Sequence, residues 1–167
     1  MYHAGDQVVY GIHGVCRITD CEKQRVGTRT VTYLVLEPVG QEGTRYLVPT
    51  HNEIAMNKLR PMLKPRELET LICSDEVRTD CWNRDEAVRK QFYRELIASG
   101  DRLGLMRMVH TLYRHKKAQA AAGKKVHLVD ENFLRDAERL LAGEISVIMG
   151  VSQEEARIYL RNRLGTE

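Results

Sequence analysis

The chain has 167 residues, of which 43% are hydrophobic and 29% charged, and its net charge at neutral pH is only +3. That is material for one ordinary domain or two small ones, in the composition range of folded globular proteins rather than disordered chains. No apolar run is long enough to span a bilayer, and the opening MYHAGDQVVYG lacks the basic start and apolar middle of a signal peptide; the expected address is the cytoplasm, without membrane association.

Up to about residue 60 the chain favours β structure. Residues 7–10, 15–20, 31–37 and 44–48 are short apolar runs rich in β-branched and aromatic residues, separated by glycine-containing turns at 11–14, 27–28 and 40–43. Four or five such strands are too few for a sandwich and predict a small SH3-like or Tudor-like barrel. In residues 31–36 both alternating sets are largely apolar, as for a strand covered on both faces. Pro49 ends the last long strand, and RPMLKP at 60–65 reads as a linker.

Beyond the linker the period becomes helical. A short helix is expected over 66–73, with Leu68, Leu71 and Ile72 on one side. Thr79 or Asp80 is suited to cap a second helix, with Asp85 and Glu86 in its early turns, and Ser99-Gly100 ends it. Asp101 caps a third helix that carries the apolar stripe Leu105, Met108, Val109 and Leu112, joined by Met106 and Tyr113, to Gly123. A fourth runs from about Leu128 to Met149, and Ser152 with Glu155 has capping-box spacing for a fifth. The fold class is therefore α+β: a small barrel over residues 1–62, then an all-α domain of about five helices over 63–167.

Familiar enzyme motifs are missing: no P-loop, no nucleophile elbow, no zinc-protease signature. The four cysteines, Cys16, Cys21, Cys73 and Cys81, form no C-x-x-C pair, so reduced structural thiols are expected, and neither a metal nor a cofactor is. His13 near Cys16 has the elements of a thiol-imidazole pair, but nothing in the sequence supplies an orienting or oxyanion group.

Charge is unevenly placed. Between Arg84 and Lys125 eleven Lys and Arg face four acids, the footprint of a surface for polyanions or of a wet helix face. Arg107, His110, Arg114 and Lys117 share one side of the third helix and would form a cationic ridge, extended by Arg89, Lys90 and Arg94 of the second. Ahead of that stretch stands TDCWNR at 79–84, with the only tryptophan. Trp82 has two readings: an anchor for its loop, or an exposed indole that stacks on a base or wedges into a distorted minor groove while Arg84 holds phosphate.

The order of these parts resembles the CarD/CdnL family of bacterial transcription regulators. The resemblance is carried by GDQVVYGIHGVCRI at 5–18, YLVLEP at 33–38, YLVPT at 46–50, the triplet Trp82-Asn83-Arg84, ASGD at 98–101 and AERLLAGEISVIMGVSQEEA at 137–156. Single pieces are weak, and their shared order is specific. It implies an N-terminal Tudor-like domain, related to that of the transcription-repair coupling factor, which docks on the RNA polymerase β subunit. It also implies a helical domain whose tryptophan wedges at the upstream edge of the melting promoter, a role matched here by Trp82, with Arg84 on phosphate.

On this reading Trp82, Asn83, Arg84, Arg89, Lys90, Arg107, Arg114 and Lys117 contact promoter DNA. Gln24 and Leu47 correspond most nearly to the polymerase-facing positions, with Arg25 and Arg45 beside them. A strand edge around Arg25 and Val26 is an alternative dock, by strand addition. The protein would be a monomer or weak homo-oligomer, stabilising the open complex without catalysis. The competing reading is an adaptor whose barrel binds a partner strand and whose helices bind no DNA; a single-stranded RNA binder is disfavoured because the barrel lacks clustered stacking residues.

Overall fold

Alternating apolar residues of the first sixty positions pair into one antiparallel sheet in a computed structural model that describes residues 1–165. Its strands are β1 (Gln7–Tyr10), β2 (Val15–Val26), β3 (Arg29–Pro38), β4 (Tyr46–Pro49) and β5 (Leu59–Pro61), in the order β4-β3-β2-β1-β5. One core cluster takes Val8 from β1, Cys16 and Ile18 from β2, Leu34 and Leu36 from β3, Val48 from β4 and Leu59 from β5. Since both edge strands reach that cluster, the sheet curls around it, as a small barrel requires.

β2 is longer than the apolar pattern indicates. It continues six residues beyond Asp20, as an exposed polar arm paired to β3 as far as Val26 opposite Arg29. The two-residue turn between them holds Gly27 at φ +63°, a conformation tight hairpins demand and side chains resist. The linker expectation needs correction too, because Arg60 and Pro61 pair with Val9 and Val8 as part of β5. Pro61 is tolerated there because β5 is an edge. Asn52 caps a short helix, α1 (Glu53–Met56), which the sequence pattern did not reveal.

The chain divides into two compact units between Met62 and Leu63. In the second, Pro65 opens α2 (Pro65–Ile72), where its missing N–H leaves no helical bond unmade. A 3-10 turn follows over Asp75–Arg78, and then α3 (Glu86–Ser99), α4 (Arg102–Ala121), α5 (Leu128–Met149) and α6 (Gln153–Leu164). Gly100 ends α3 in the left-handed conformation, and the Asp101 carboxylate caps α4 by accepting from the Gly104 amide at 2.9 Å. Ser152 and Glu155 complete the capping box of α6. The α4 stripe is core: Leu105, Met106, Met108, Val109 and Leu112 are buried against Leu141 and Ile145 of α5 and Leu160 and Leu164 of α6.

Candidate nucleic-acid interface

Three side chains that bond to nearby backbone amides shape the segment before α3. Asp80 accepts from the Trp82 amide at 3.0 Å, Asn83 from the Asp85 amide at 2.9 Å, and Asp85 from Ala87 and Val88 at 2.9 and 3.2 Å. Asp and Asn that bond forward to the backbone compete with helix, so the helix starts only where Asp85 becomes its cap. This corrects the expected start at Thr79 or Asp80: Trp82, Asn83 and Arg84 lie in a turn-rich loop, not in a first helical turn.

The loop is fastened to α4. The Cys81 amide donates to the Thr111 hydroxyl at 3.1 Å, and the Cys81 thiol lies 3.3 Å from the same oxygen. Burial raises the pKa of that thiol, so it packs rather than reacts. One turn earlier on α4, Arg107 Nε reaches the Thr79 carbonyl at 3.5 Å.

Trp82 is half-buried at the rim of the helical core. Its ring stacks on His115, with centroids 3.5 Å apart and planes 17° from parallel, and the Arg89 guanidinium carbon sits 4.1 Å from the indole centroid. Arg89 is only 3% exposed. It donates from Nε and Nη2 to the two Asp130 oxygens at 2.9 and 3.0 Å, and from Nη1 to the Asn83 carbonyl at 2.9 Å. One planar cation therefore joins α3 to α5, holds the loop backbone and faces the indole. Burial works against the Arg89 charge, but the hydrogen bonds and attraction from Asp130 raise its pKa overall. Burial lowers the pKa of His115, helped by Arg89 and opposed by Asp130, so the imidazole against the indole is neutral at pH 7.

Two expected members of the cationic surface are thus elsewhere. Arg89 is committed to Asp130 and is no phosphate ligand. His110 is 3% exposed, its Nδ1 donating to the Leu164 carbonyl at 2.8 Å, so the end of α6 covers the middle of the ridge. Arg107 remains half-buried beside Thr79, while Arg114 and Lys117 lie exposed farther along α4. Asn83 and Arg84 are exposed in the loop, and Lys90 is half-buried against Glu86 at 2.6 Å. Sequence reasoning missed His115, Thr111 and Asp130. Arg107, Thr111 and His115 recur every fourth residue and turn toward the loop, a face adjacent to the stripe that the cation spacing singled out.

In the sheet, strand alternation and register sort the other candidates. Gln24 lies opposite Val31 and Leu47 opposite Val35, so Gln24, Val26 and Leu47 share one face and Arg25 projects from the other. Arg45 reaches the first face, pairing with Glu22 at 3.0 Å and Glu37 at 3.8 Å, and Gln24 donates to Glu22 at 3.3 Å. Val26 and Leu47 are about half exposed, at 54% and 44%. β2 pairs with β1 through Val15, Cys16 and Arg17, and Ile18 bonds to Gly5 and Asp6 just before β1; among the described residues no strand pairs with that edge in the arm that ends at Val26.

The thiol-imidazole pair is not assembled. Cys16 is fully buried, its thiol pKa pushed up to about 11 by burial, while the His13 ring packs 4.1 Å from Tyr46 and 5.1 Å from Tyr10. Among the described residues no three His, Cys, Asp or Glu side chains are grouped to hold a metal, and no helix is long and apolar enough to cross a membrane.

Comparison with family models matches residues 2–61 to the CarD-like/TRCF RID domain, a domain that interacts with RNA polymerase and belongs to no enzyme class. No curated protein matches the chain. The matched residues are those of the curled sheet, all five strands included, whose order along the chain the motifs at 5–18, 33–38 and 46–50 had followed. The N-terminal unit of this chain is a CarD-like/TRCF RID domain.

Proposed function

We propose that this protein is a non-enzymatic transcription regulator that binds the RNA polymerase β subunit through residues 1–62 and promoter DNA at the upstream edge of the transcription bubble through residues 63–167, and so stabilises the open complex. The observation that carries the reading is the indole of Trp82, half-buried on a loop that Thr111, Arg89 and Asp130 fix in place, beside an exposed Arg84. A planar apolar ring held at a surface gains more from an unstacked or distorted base step than from closed duplex, and differential affinity of that kind shifts the melting equilibrium. Base stacking on an aromatic side chain contributes about 1–3 kcal/mol, enough to lengthen an open state about five- to a hundredfold. Arg84, Arg107, Arg114 and Lys117 serve as phosphate contacts that set orientation. The sheet face of Gln24, Val26, Arg45 and Leu47 holds polymerase, and the effective concentration this creates lets a monomer with weak DNA affinity act at a promoter.

A photo-crosslinking amino acid at position 82 tests the reading. Crosslinks to the upstream edge of the bubble are expected when polymerase and promoter are both present, and crosslinks to polymerase alone would contradict it. The packing of His115 on the indole favours a second reading, in which Trp82 only staples its loop and the protein is an adaptor. That reading expects no DNA crosslink at all.

A further inference from the structure

One groove in the helical unit has no part in the function above. It encloses about 690 Å³ between the C-terminal half of α4, the first turns of α5 and the end of α6. That is the volume of a site for a nucleotide-sized molecule. Lys116 enters from α4, Arg135 from α5, and Arg157 and Arg161 from α6, against two carboxylates, Glu131 and Glu138.

The carboxylates are already engaged. Glu131 pairs with Lys116 at 3.8 Å; Glu138 accepts a short hydrogen bond from the Tyr113 hydroxyl and pairs with Arg161 at 3.6 Å. Among the described residues Arg157 pairs only with Glu154, one turn back on its own helix and outside the groove lining, at 3.8 Å. Arg135 is exposed and has neither an ion pair nor a side-chain hydrogen bond among the described residues. Among the described residues, two guanidinium groups from two different helices thus stand in excess over the acids that line this groove. A single carboxylate ligand would satisfy one of them. A phosphoryl group with two negative charges and several acceptor oxygens engages both, since guanidinium forks match phosphate in pairs.

We propose that this groove is a binding site for a small phosphorylated anion, of nucleotide size and carrying at least two negative charges. Arg135 and Arg157 grip the phosphate, while Lys116 and Arg161 add field from positions held by their carboxylate partners. The site stands independently of the DNA-binding reading, because Trp82, Arg84 and Arg107 do not line it.

Isothermal titration of the full chain with inorganic tripolyphosphate and with GDP tests this. Wild type is expected to bind one equivalent of each. Arg135→Ala with Arg157→Ala is expected to weaken both by at least about tenfold, the effect of losing one to two charge-assisted hydrogen bonds. Lys124→Ala with Lys125→Ala removes the same formal charge from the exposed turn after α4, outside the groove lining, and is expected to change affinity by less than about twofold. Circular dichroism confirms that both variants fold, as expected for exposed and half-exposed positions. Equal losses in the two double variants would reduce the effect to bulk charge, and absence of binding in wild type would remove the site; either overturns the proposal. Duplex DNA provides the last arm: if the groove variant weakened duplex binding as much as tripolyphosphate binding, the occupant would be a nucleic-acid backbone and the small-ligand proposal would fall.

Discussion

Arg89 and Asp130, forty-one residues apart in sequence, form a buried bidentate pair from which the Trp82 loop hangs through the Asn83 carbonyl. Removing one partner of a buried pair leaves an uncompensated charge, so Asp130→Ala is expected to destabilise the helical unit by about 3–5 kcal/mol. Urea unfolding followed by Trp82 emission measures the loss, and acrylamide quenching of the folded variant should rise as the loop comes free. A loss under about 1 kcal/mol with unchanged quenching would show that the pair does not hold the loop.

The stack of His115 on Trp82 makes the helical unit sensitive to acid. Burial puts the folded pKa of His115 below its ordinary 6.5, so the unfolded chain takes up the proton first. The stabilising contribution is complete above about 6.5 and is lost as the pH falls through the folded value. Stability read by Trp82 emission should therefore decline from near pH 6.5 downward, and decline less in His115→Gln. An identical pH profile in the variant would assign the effect to another group.

Much of the fold is legible because its signals are local. Gly100, Asp101, Ser152 and Glu155 act where the sequence places them, since a cap needs only its own neighbours. The Leu105 to Leu112 stripe is equally plain from its spacing. By contrast, the polar arm of β2 has no apolar alternation to announce it, because beyond Asp20 it covers no core. The site was half legible. Trp82 drew notice by its rarity, yet its helix start was misplaced because Asp80, Asn83 and Asp85 are each competent caps and only the last is used. Arg89 and His110 looked like their cationic neighbours, and nothing local distinguishes a solvated arginine from one whose partner lies on another helix.

Phosphate contacts are expected to show in salt dependence. Arg84→Ala and Arg114→Ala should each lower the slope of log affinity for duplex DNA against log salt by about one unit. Filter binding from low to physiological salt measures it. Slopes equal to wild type would return both side chains to solvent.

The sheet face makes a ranking. Leu47→Asp and Val26→Asp are expected to reduce capture of RNA polymerase by at least about tenfold, because each puts a carboxylate at an exposed apolar position of the proposed dock. Arg25→Ala, on the opposite face, should stay within about twofold. The reverse ranking, measured by surface plasmon resonance on immobilised polymerase, would move the interface to the other face or to the open edge of β2.

The lifetime of the open complex on a promoter template, with wild type and Trp82→Ala at matched occupancy on polymerase, addresses the central claim most directly. A lifetime shortened about five- to a hundredfold in the variant is the result expected from loss of one stacked ring. Equal lifetimes would contradict the account and leave Trp82 as a staple of its own loop.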